Sequence, residues 1–162
     1  MKWWGWGYED VAFDDSNKPG LWPYLKNELK IKEIEWTRPV AFEDIDLPEQ
    51  TTNEAFLGAI RGALDEGQVA DDKRTRLIHA AGKSFRDLWL LRHGIVKYAP
   101  DCVVFPESEE DVAAIVRAAD EHGAVLIPFG GGSNIAGCLE PRDRDGRMVD
   151  AMAGSVAVPV EE

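Results

Sequence analysis

The feature that most constrains the fold is a strand, helix and strand pattern between residues 99 and 137, which ends in a glycine-rich loop. The run 102–105 is continuous, apolar and flanked by prolines, as is typical of a buried strand. Ser108, with Asp111 three positions later, is suited to cap a helix that closes at Gly123. The apolar positions of this helix are Val112, Ile115, Val116 and Ala119. A second apolar run, 124–127, follows, and the whole predicts a βαβ unit with parallel strands and a right-handed crossover.

The loop after the second strand is the candidate binding site. It consists of Pro128, Phe129, Gly130, Gly131, Gly132, Ser133 and Asn134, and no charged residue lies between His122 and Glu140. Loops at the carboxyl ends of parallel strands commonly bind ligands, and consecutive glycines let backbone N–H groups approach an anion closely. The spacing excludes a Walker loop and the dinucleotide fingerprint. The residues fit a phosphate cradle and a flexible connector equally well.

Ahead of this unit the sequence predicts an arm at 1–20 and a helical stretch at 21–98. Four tryptophans lie in the first 22 residues, and such rings are costly to leave in water. We expect the arm to pack on the chain's own body, with docking to another subunit or a missing domain as the alternative. Residues 37–48 are predicted to be an extended connector.

Helices are predicted within 21–32, within 54–67 and around Leu77. The cap candidates for the second are Thr51, Thr52 and Asn53. A further helix, capped by Ser84 and ending at Gly94, is predicted to face inward with its apolar residues, which are Phe85, Leu88, Trp89 and Leu91. This region also holds the basic residues His79, Lys83, Arg86, Arg92 and His93. They form either a solvated helix face or a surface for a phosphate-bearing ligand or an acidic partner.

Composition excludes several classes of function. The net charge of −12 without a basic stripe argues against nucleic-acid binding and polybasic membrane docking. Cys102 and Cys138 have no partners at metal-ligand spacing, so no metal site is predicted. The sequence shows no signal peptide and no transmembrane segment, and the predicted location is cytoplasmic.

Three stretches, 99–108, 111–116 and 128–134, resemble the N-terminal half of the PCMH-type FAD-binding domain of vanillyl-alcohol-oxidase-like flavoproteins. Residues 2–7 and 82–94 are similar to the alkyldihydroxyacetonephosphate synthase (alkylglycerone-phosphate synthase) branch. The resemblance implies an α+β fold, in which a helical lead-in precedes a βαβ half of the FAD-binding domain. It also implies FAD as cofactor, with the loop residues around its pyrophosphate, namely Pro128, Phe129, Gly130, Gly131, Gly132, Ser133 and Asn134.

The synthases of this family use flavin to exchange the acyl group of acyl-dihydroxyacetone phosphate for a fatty alcohol in ether-lipid synthesis, and related members oxidise 2-hydroxy acids. Full members continue into a second FAD-binding half and a cap that carries the catalytic residues. From Asp150 this chain departs from that pattern, which we interpret as truncation or a changed reading frame. The predicted domains are the arm at 1–20, the lead-in at 21–98, the FAD-binding part at 99–149 and an atypical tail at 150–162.

The predicted function is therefore the FAD-binding portion of a synthase-like flavoprotein that is not catalytic alone, and no catalytic residue is assigned. Its expected partners are FAD and a missing C-terminal FAD-binding and cap portion or another subunit. The alternatives are a non-catalytic remnant or protein-interaction module, and a fragment of an FAD-linked 2-hydroxy-acid oxidase or dehydrogenase.

Overall fold

The computed structural model describes residues 1–12, 14–34, 37–51 and 53–140, together with the backbone of residues 155–159. The helices of this part are α1 (Leu21–Leu29), α2 (Glu54–Ala63), α3 (Lys73–Ile78), α4 (Phe85–Arg92) and α5 (Glu109–His122). The strands are β1 (Val69–Ala70), β2 (Cys102–Val104), β3 (Val125–Phe129) and β4 (Ser155–Pro159). Short 3-10 turns, Phe42–Asp44 and Glu66–Gln68, lie in two of the connections.

The strands form one small sheet in the order β1, β2, β4, β3. β1 is antiparallel to β2, whereas β4 is parallel to both of its neighbours, with Cys102 opposite Val156 and Val125 opposite Ser155. β2 and β3 are therefore parallel to each other, as predicted, but they are not adjacent because β4 lies between them. The architecture is a mixture of helices and a small sheet that includes one antiparallel pair.

Strand β4 falls in the stretch 150–162 that the sequence analysis set apart as an atypical tail. Within that stretch only the backbone of 155–159 is among the described residues. The rest of it, and positions 141–149 of the predicted FAD-binding part, lie outside the described residues. The sequence analysis did not predict this strand.

Local hydrogen bonds explain where α5 begins. The Ser108 Oγ accepts a hydrogen bond from the Asp111 backbone N–H at 3.1 Å, as an N-cap serine does. The Asp111 carboxylate in turn accepts one from the Glu107 N–H at 2.8 Å and adds negative charge to the first turn. Gly123 occupies the C-cap. These ends confirm the predicted helix, whereas β3 begins one residue later than the predicted strand and continues to Phe129.

The larger core lies between the helix pair α2 and α5 and one face of β2. Its buried side chains are Phe56, Leu57, Ile60, Leu64, Cys102, Val104, Ile115, Ala118 and Ala119. Successive residues of a strand point to opposite faces, so the side chain of Val103 leaves this core and packs with Phe129 and Leu139 on the other side. The sheet thus has an apolar layer on each face.

Asn53 fastens the two helices of this core to each other. Its Oδ1 accepts a hydrogen bond from Phe56 N at 3.0 Å and caps α2, while its Nδ2 donates to the carbonyl of His122, the last residue of α5, at 2.9 Å. Of the three predicted caps, Asn53 is therefore the one in use. Thr52 lies outside the described residues.

The N-terminal arm packs on the body of the chain, as expected. Trp3 is buried in a second core with Ile45, Leu77 and Leu91, and its ring meets that of Trp4 edge to face at 5.2 Å between centroids. Ile45 comes from the predicted connector, which contains one of the 3-10 turns and is not extended throughout. Trp6 remains mostly exposed, so the burial of the arm is confirmed at Trp3 and is not shared by every tryptophan.

The prediction that Phe85 and Trp89 face inward is wrong. Phe85 is 87% exposed and Trp89 is 47% exposed, while Asp87 and Leu91, four residues apart, are buried. The apolar residues of α4 lie on more than one side of this short helix, so they cannot all be buried. The buried side is the one that places Leu91 in the second core. Val112 and Val116 of α5 are exposed for the same reason, since Ile115, Ala118 and Ala119 occupy its inward face.

The basic residues of this region do not share a surface. Lys83 is only 4% exposed. Arg86 pairs with Glu140 at 2.6 Å, Arg92 donates to the Thr37 carbonyl, and His93 stacks on Trp89 at 4.3 Å between ring centroids. The predicted common helix face is therefore not formed. Among the described residues, no helix has the length and apolar character that a membrane span needs.

Candidate functional site

The glycine loop lies at the carboxyl end of β3, which is the edge of the sheet where β2 and β4 also end. In the sheet formed by the described strands β3 lies at an edge, a position that tolerates Pro128, which has no backbone N–H to donate. Pro128, Gly130, Gly131 and Ser133 are exposed. The strand therefore delivers four of the seven predicted contact residues to the surface, at the position where parallel sheets commonly bind ligands.

Gly130 and Gly131 leave their side of the loop open. A Cβ placed on either glycine would meet no atom within 4 Å in the described part of the chain. Within the same part, no hydrogen bond engages the amide N–H groups of Gly131, Gly132 or Ser133. These donors are available to an anion that approaches the backbone, and a side chain on either open glycine would fill the space it needs. The loop therefore combines open space with free backbone donors, as an anionic group such as a diphosphate requires.

Gly132 has a different role from its two neighbours because it is packed against the core. Its φ is +67°, and a Cβ there would lie 2.6 Å from Cζ of Phe129. The Phe129 ring is 1% exposed and rests on the His79 ring at 4.4 Å between centroids. The buried Phe129 side chain thus supports the loop from the core side.

Asn134 ends the loop and uses its polar atoms within the protein. Its Oδ1 accepts hydrogen bonds from the N–H groups of Ala136 and Cys138, both at 3.1 Å. Its carbonyl accepts one from Lys83 N at 2.8 Å. The Asn134 oxygens therefore shape the loop, and its side-chain NH₂ group is the part suited to donate to a ligand.

Two neighbours of the loop were not assigned to the site by the sequence analysis. Gly82 passes so close to Asn134 that a Cβ would collide with the Asn134 carbonyl oxygen. Lys83 follows it, and its Nζ donates to the carbonyl of Lys2 at 3.0 Å. Gly82 and Lys83 open the segment 82–94 that carries the family resemblance, but their contact with the loop could not be read from spacing along the chain.

The electrostatics of the site come mainly from backbone dipoles. Burial lowers the pKa of Lys83, while the carboxylate of Asp87 acts in the opposite direction. Burial also lowers the pKa of His79, whose Nδ1 lies 2.8 Å from the Thr75 carbonyl oxygen. An uncharged glycine loop can stabilise a diphosphate through oriented N–H groups without a lysine in direct contact.

The described residues contain no cluster of three or more acidic, histidine or cysteine side chains suited to a metal ion. Cys102 and Cys138 are free thiols, one buried and one exposed.

The chain is similar to known proteins in both sequence and structure. Residues 100–160 match a family model described as FAD binding domain, which implies FAD as the cofactor. The chain is 33% identical over 167 aligned residues to the alkyldihydroxyacetonephosphate synthase of Trypanosoma brucei brucei, covering 92% of this chain and 27% of that protein. The corresponding synthase of Dictyostelium discoideum is 36% identical over 130 residues, covering 76% of this chain and 21% of that protein.

A solved structure of an alkyldihydroxyacetonephosphate synthase superposes with a TM-score of 0.76 at 32% identity, covering 98% of this chain and 32% of that one. The chain spans about a third or less of the length of these relatives. The match extends through the arm and the helices as well as the glycine loop. Residues 100–160 therefore belong to the FAD-binding domain family, and the chain is homologous to the alkyldihydroxyacetonephosphate synthases.

Proposed function

We propose that this chain is the FAD-binding portion of an alkylglycerone-phosphate-synthase-like flavoprotein. In this proposal the pyrophosphate of FAD lies over the open face of Gly130 and Gly131 and accepts hydrogen bonds from the backbone N–H groups of Gly131, Gly132 and Ser133. The observation that carries the proposal is the open, uncharged loop with unengaged N–H groups at the carboxyl end of β3. Pro128 and the Asn134 amide flank it, while Phe129 and Gly132 support it from the core. In this proposal residues 21–98 are the lead-in and 99–149 the first part of the FAD-binding domain.

The activity proposed for the complete flavoprotein is the exchange of an acyl group for a fatty alcohol on dihydroxyacetone phosphate. Bound FAD supplies the electron-accepting ring for that chemistry. The residues of this chain bind the diphosphate and fix the orientation of the cofactor, and we assign no catalytic residue among them. Catalysis then requires a second FAD-binding half and a cap, either in the same polypeptide or in another subunit.

The proposal is tested by titrating FAD into the purified 162-residue chain and following flavin fluorescence anisotropy. We expect saturable binding, and a loss of at least about tenfold in Gly131→Val, because one lost hydrogen bond to a charged group costs about 1.5–3 kcal/mol. Gly58→Val is the matched control, since Gly58 is exposed on α2 and equally free of neighbours. Absence of binding by the unaltered chain, or equal affinity in both variants, contradicts the proposal.

A second candidate, a protein-interaction module, rests on the exposed Phe85 and Trp89 of α4. A folded chain that ignores FAD and forms a defined complex through that face would favour it. The third option, part of a 2-hydroxy-acid oxidase, is less well supported because the similarity to the synthases covers 92% of the chain. For location we propose the cytoplasm, on the ground that both cysteines are free thiols, as a reducing compartment keeps them.

A further inference from the structure

One backbone step, from Gly82 to Lys83, touches both the N-terminal arm and the glycine loop. We call it the Gly82–Lys83 link. The backbone N–H of Lys83 donates to the Asn134 carbonyl at 2.8 Å, and the side chain of the same residue donates from Nζ to the Lys2 carbonyl at 3.0 Å. Segments far apart along the chain are therefore joined through a single residue.

Contact on the loop side is close and specific to glycine. A Cβ on Gly82 would overlap the Asn134 carbonyl oxygen and lie 3.0 Å from its carbonyl carbon. These are backbone atoms of the last loop residue, so they cannot rotate away as a flexible side chain can. Asn134 is fixed from the other direction by its own Oδ1, which accepts from Ala136 and Cys138. The end of the loop is thus held from both sides.

On the arm side the contact is buried. Lys83 is 4% exposed, and a lysine at that depth must place its ammonium group on a hydrogen-bond acceptor. The acceptor it uses belongs to Lys2, whose N–H donates to the Gly7 carbonyl at 2.9 Å and closes the arm into a turn. The next residue, Trp3, anchors this turn in the second core. Displacing the arm would leave the buried ammonium without this bond.

We propose that Gly82 and Lys83 are positioning residues for FAD, through which the folded arm at residues 1–7 sets the conformation of the glycine loop. This inference rests on the proposed function, because it assumes that the loop receives the diphosphate. It assigns the arm a part in cofactor retention without any contact between the arm and the cofactor. Since coupling between two sites is reciprocal, FAD bound at the loop must also stabilise the arm.

The experiment uses the whole 162-residue chain with three substitutions. Gly82→Ala disturbs the loop contact. Lys83→Met keeps the backbone N–H and an unbranched apolar side chain that reaches as far as Cε, but it removes the ammonium group. Lys26→Met on the exposed helix α1 is the matched control. FAD dissociation constants come from fluorescence anisotropy, urea midpoints report stability, and hydrogen exchange is measured in peptides covering 1–7 and 130–138 with and without FAD.

We expect Gly82→Ala and Lys83→Met to weaken FAD binding by about tenfold, within the usual range of coupling between separate sites, and Lys26→Met to leave it unchanged. FAD should slow exchange at residues 1–7 in the unaltered chain and not in Lys83→Met. A purely structural role would lower the urea midpoint while leaving the FAD affinity of the folded variants unchanged. If Gly82→Ala does not fold, Lys83→Met decides alone.

Two negative results are distinguishable. An unaltered chain that binds no FAD overturns the proposed function and this inference with it. An unaltered chain that binds FAD, with the same affinity in folded Lys83→Met and with arm exchange indifferent to FAD, overturns this inference and leaves the proposed function standing.

Discussion

The three consecutive glycines of the loop should respond differently to the same substitution. Alanine at Gly132 must adopt a φ of +67°, which costs about 1–2 kcal/mol for an L-residue. Its Cβ would also lie 2.6 Å from the Phe129 ring, and overpacking of this kind costs about 1–3 kcal/mol. That ring is enclosed by Val103, Leu139 and His79, so it has no free space to enter. We therefore expect Gly132→Ala to lower the free energy of unfolding by about 2–5 kcal/mol.

Gly131→Ala is the internal comparison because it lies next in the chain and meets no neighbour within 4 Å. Its φ lies outside the left-handed region, so alanine restricts the unfolded chain without straining the folded one. The expected effect is neutral or a gain of up to about 1 kcal/mol. The two variants each add one methyl group, at neighbouring residues. Gly132→Ala is expected to be destabilised, whereas Gly131→Ala is expected to keep its stability or gain a little.

Urea unfolding followed by circular dichroism measures both free energies, with the slopes against urea compared to confirm that the extent of unfolding is the same. The free energy of unfolding of a typical domain is about 5–15 kcal/mol. The loss expected for Gly132→Ala is a large part of that, so the urea midpoint should shift clearly to lower concentration. The reasoning is refuted if Gly132→Ala unfolds at the same urea concentration as the unaltered chain. It is also refuted if Gly131→Ala is destabilised to the same extent.

Further predictions concern the helix pair, the thiols and the loop support. Replacing Asn53 by alanine should lower the free energy of unfolding by about 2 kcal/mol in urea melts, because one cap and one interhelical hydrogen bond are lost together. Burial raises the pKa of the Cys102 thiol to about 12, so this thiol should not react with iodoacetamide in the native chain. Mass spectrometry should therefore count one added group in the native chain, at the exposed Cys138, and two after denaturation. Burial lowers the pKa of His79 below its usual 6.5, so the unfolded state binds a proton more readily and stability should fall as the pH drops through about 6.5. His79→Gln should reduce this slope, measured by urea melts across that range; an equal slope in the variant and the unaltered chain would contradict the assignment.

Elements with strong local signals were predicted well from the sequence. The bounds of α5 follow from Ser108 and Gly123, which act within one turn of the helix they end. β2 was recognisable because a strand buried on both faces is a continuous apolar run. The glycine loop was found for the same reason, since its composition and its place after a strand are both local features.

The errors and omissions arise where contacts with distant parts of the chain determine which residues are buried or lie close together. The exposed face of α4 holds Phe85 and Trp89 because the opposite face packs Leu91 into the second core, and hydrophobicity alone could not select between these faces. The approach of Gly82 to Asn134 joins residues that no local pattern relates.

The central position of β4 has a consequence for the order of assembly. β2 and β3 pair with β4 and not with each other, so residue 155 must be synthesised before the sheet can close. Pairing of Cys102 with Val156 joins segments far apart in the chain, and such contacts form slowly. Until they form, two strand edges are open to other nascent chains, which is a known route to aggregation. The glycine loop follows β3, and β3 pairs with β4, so we expect the cofactor to enter after this pairing has formed.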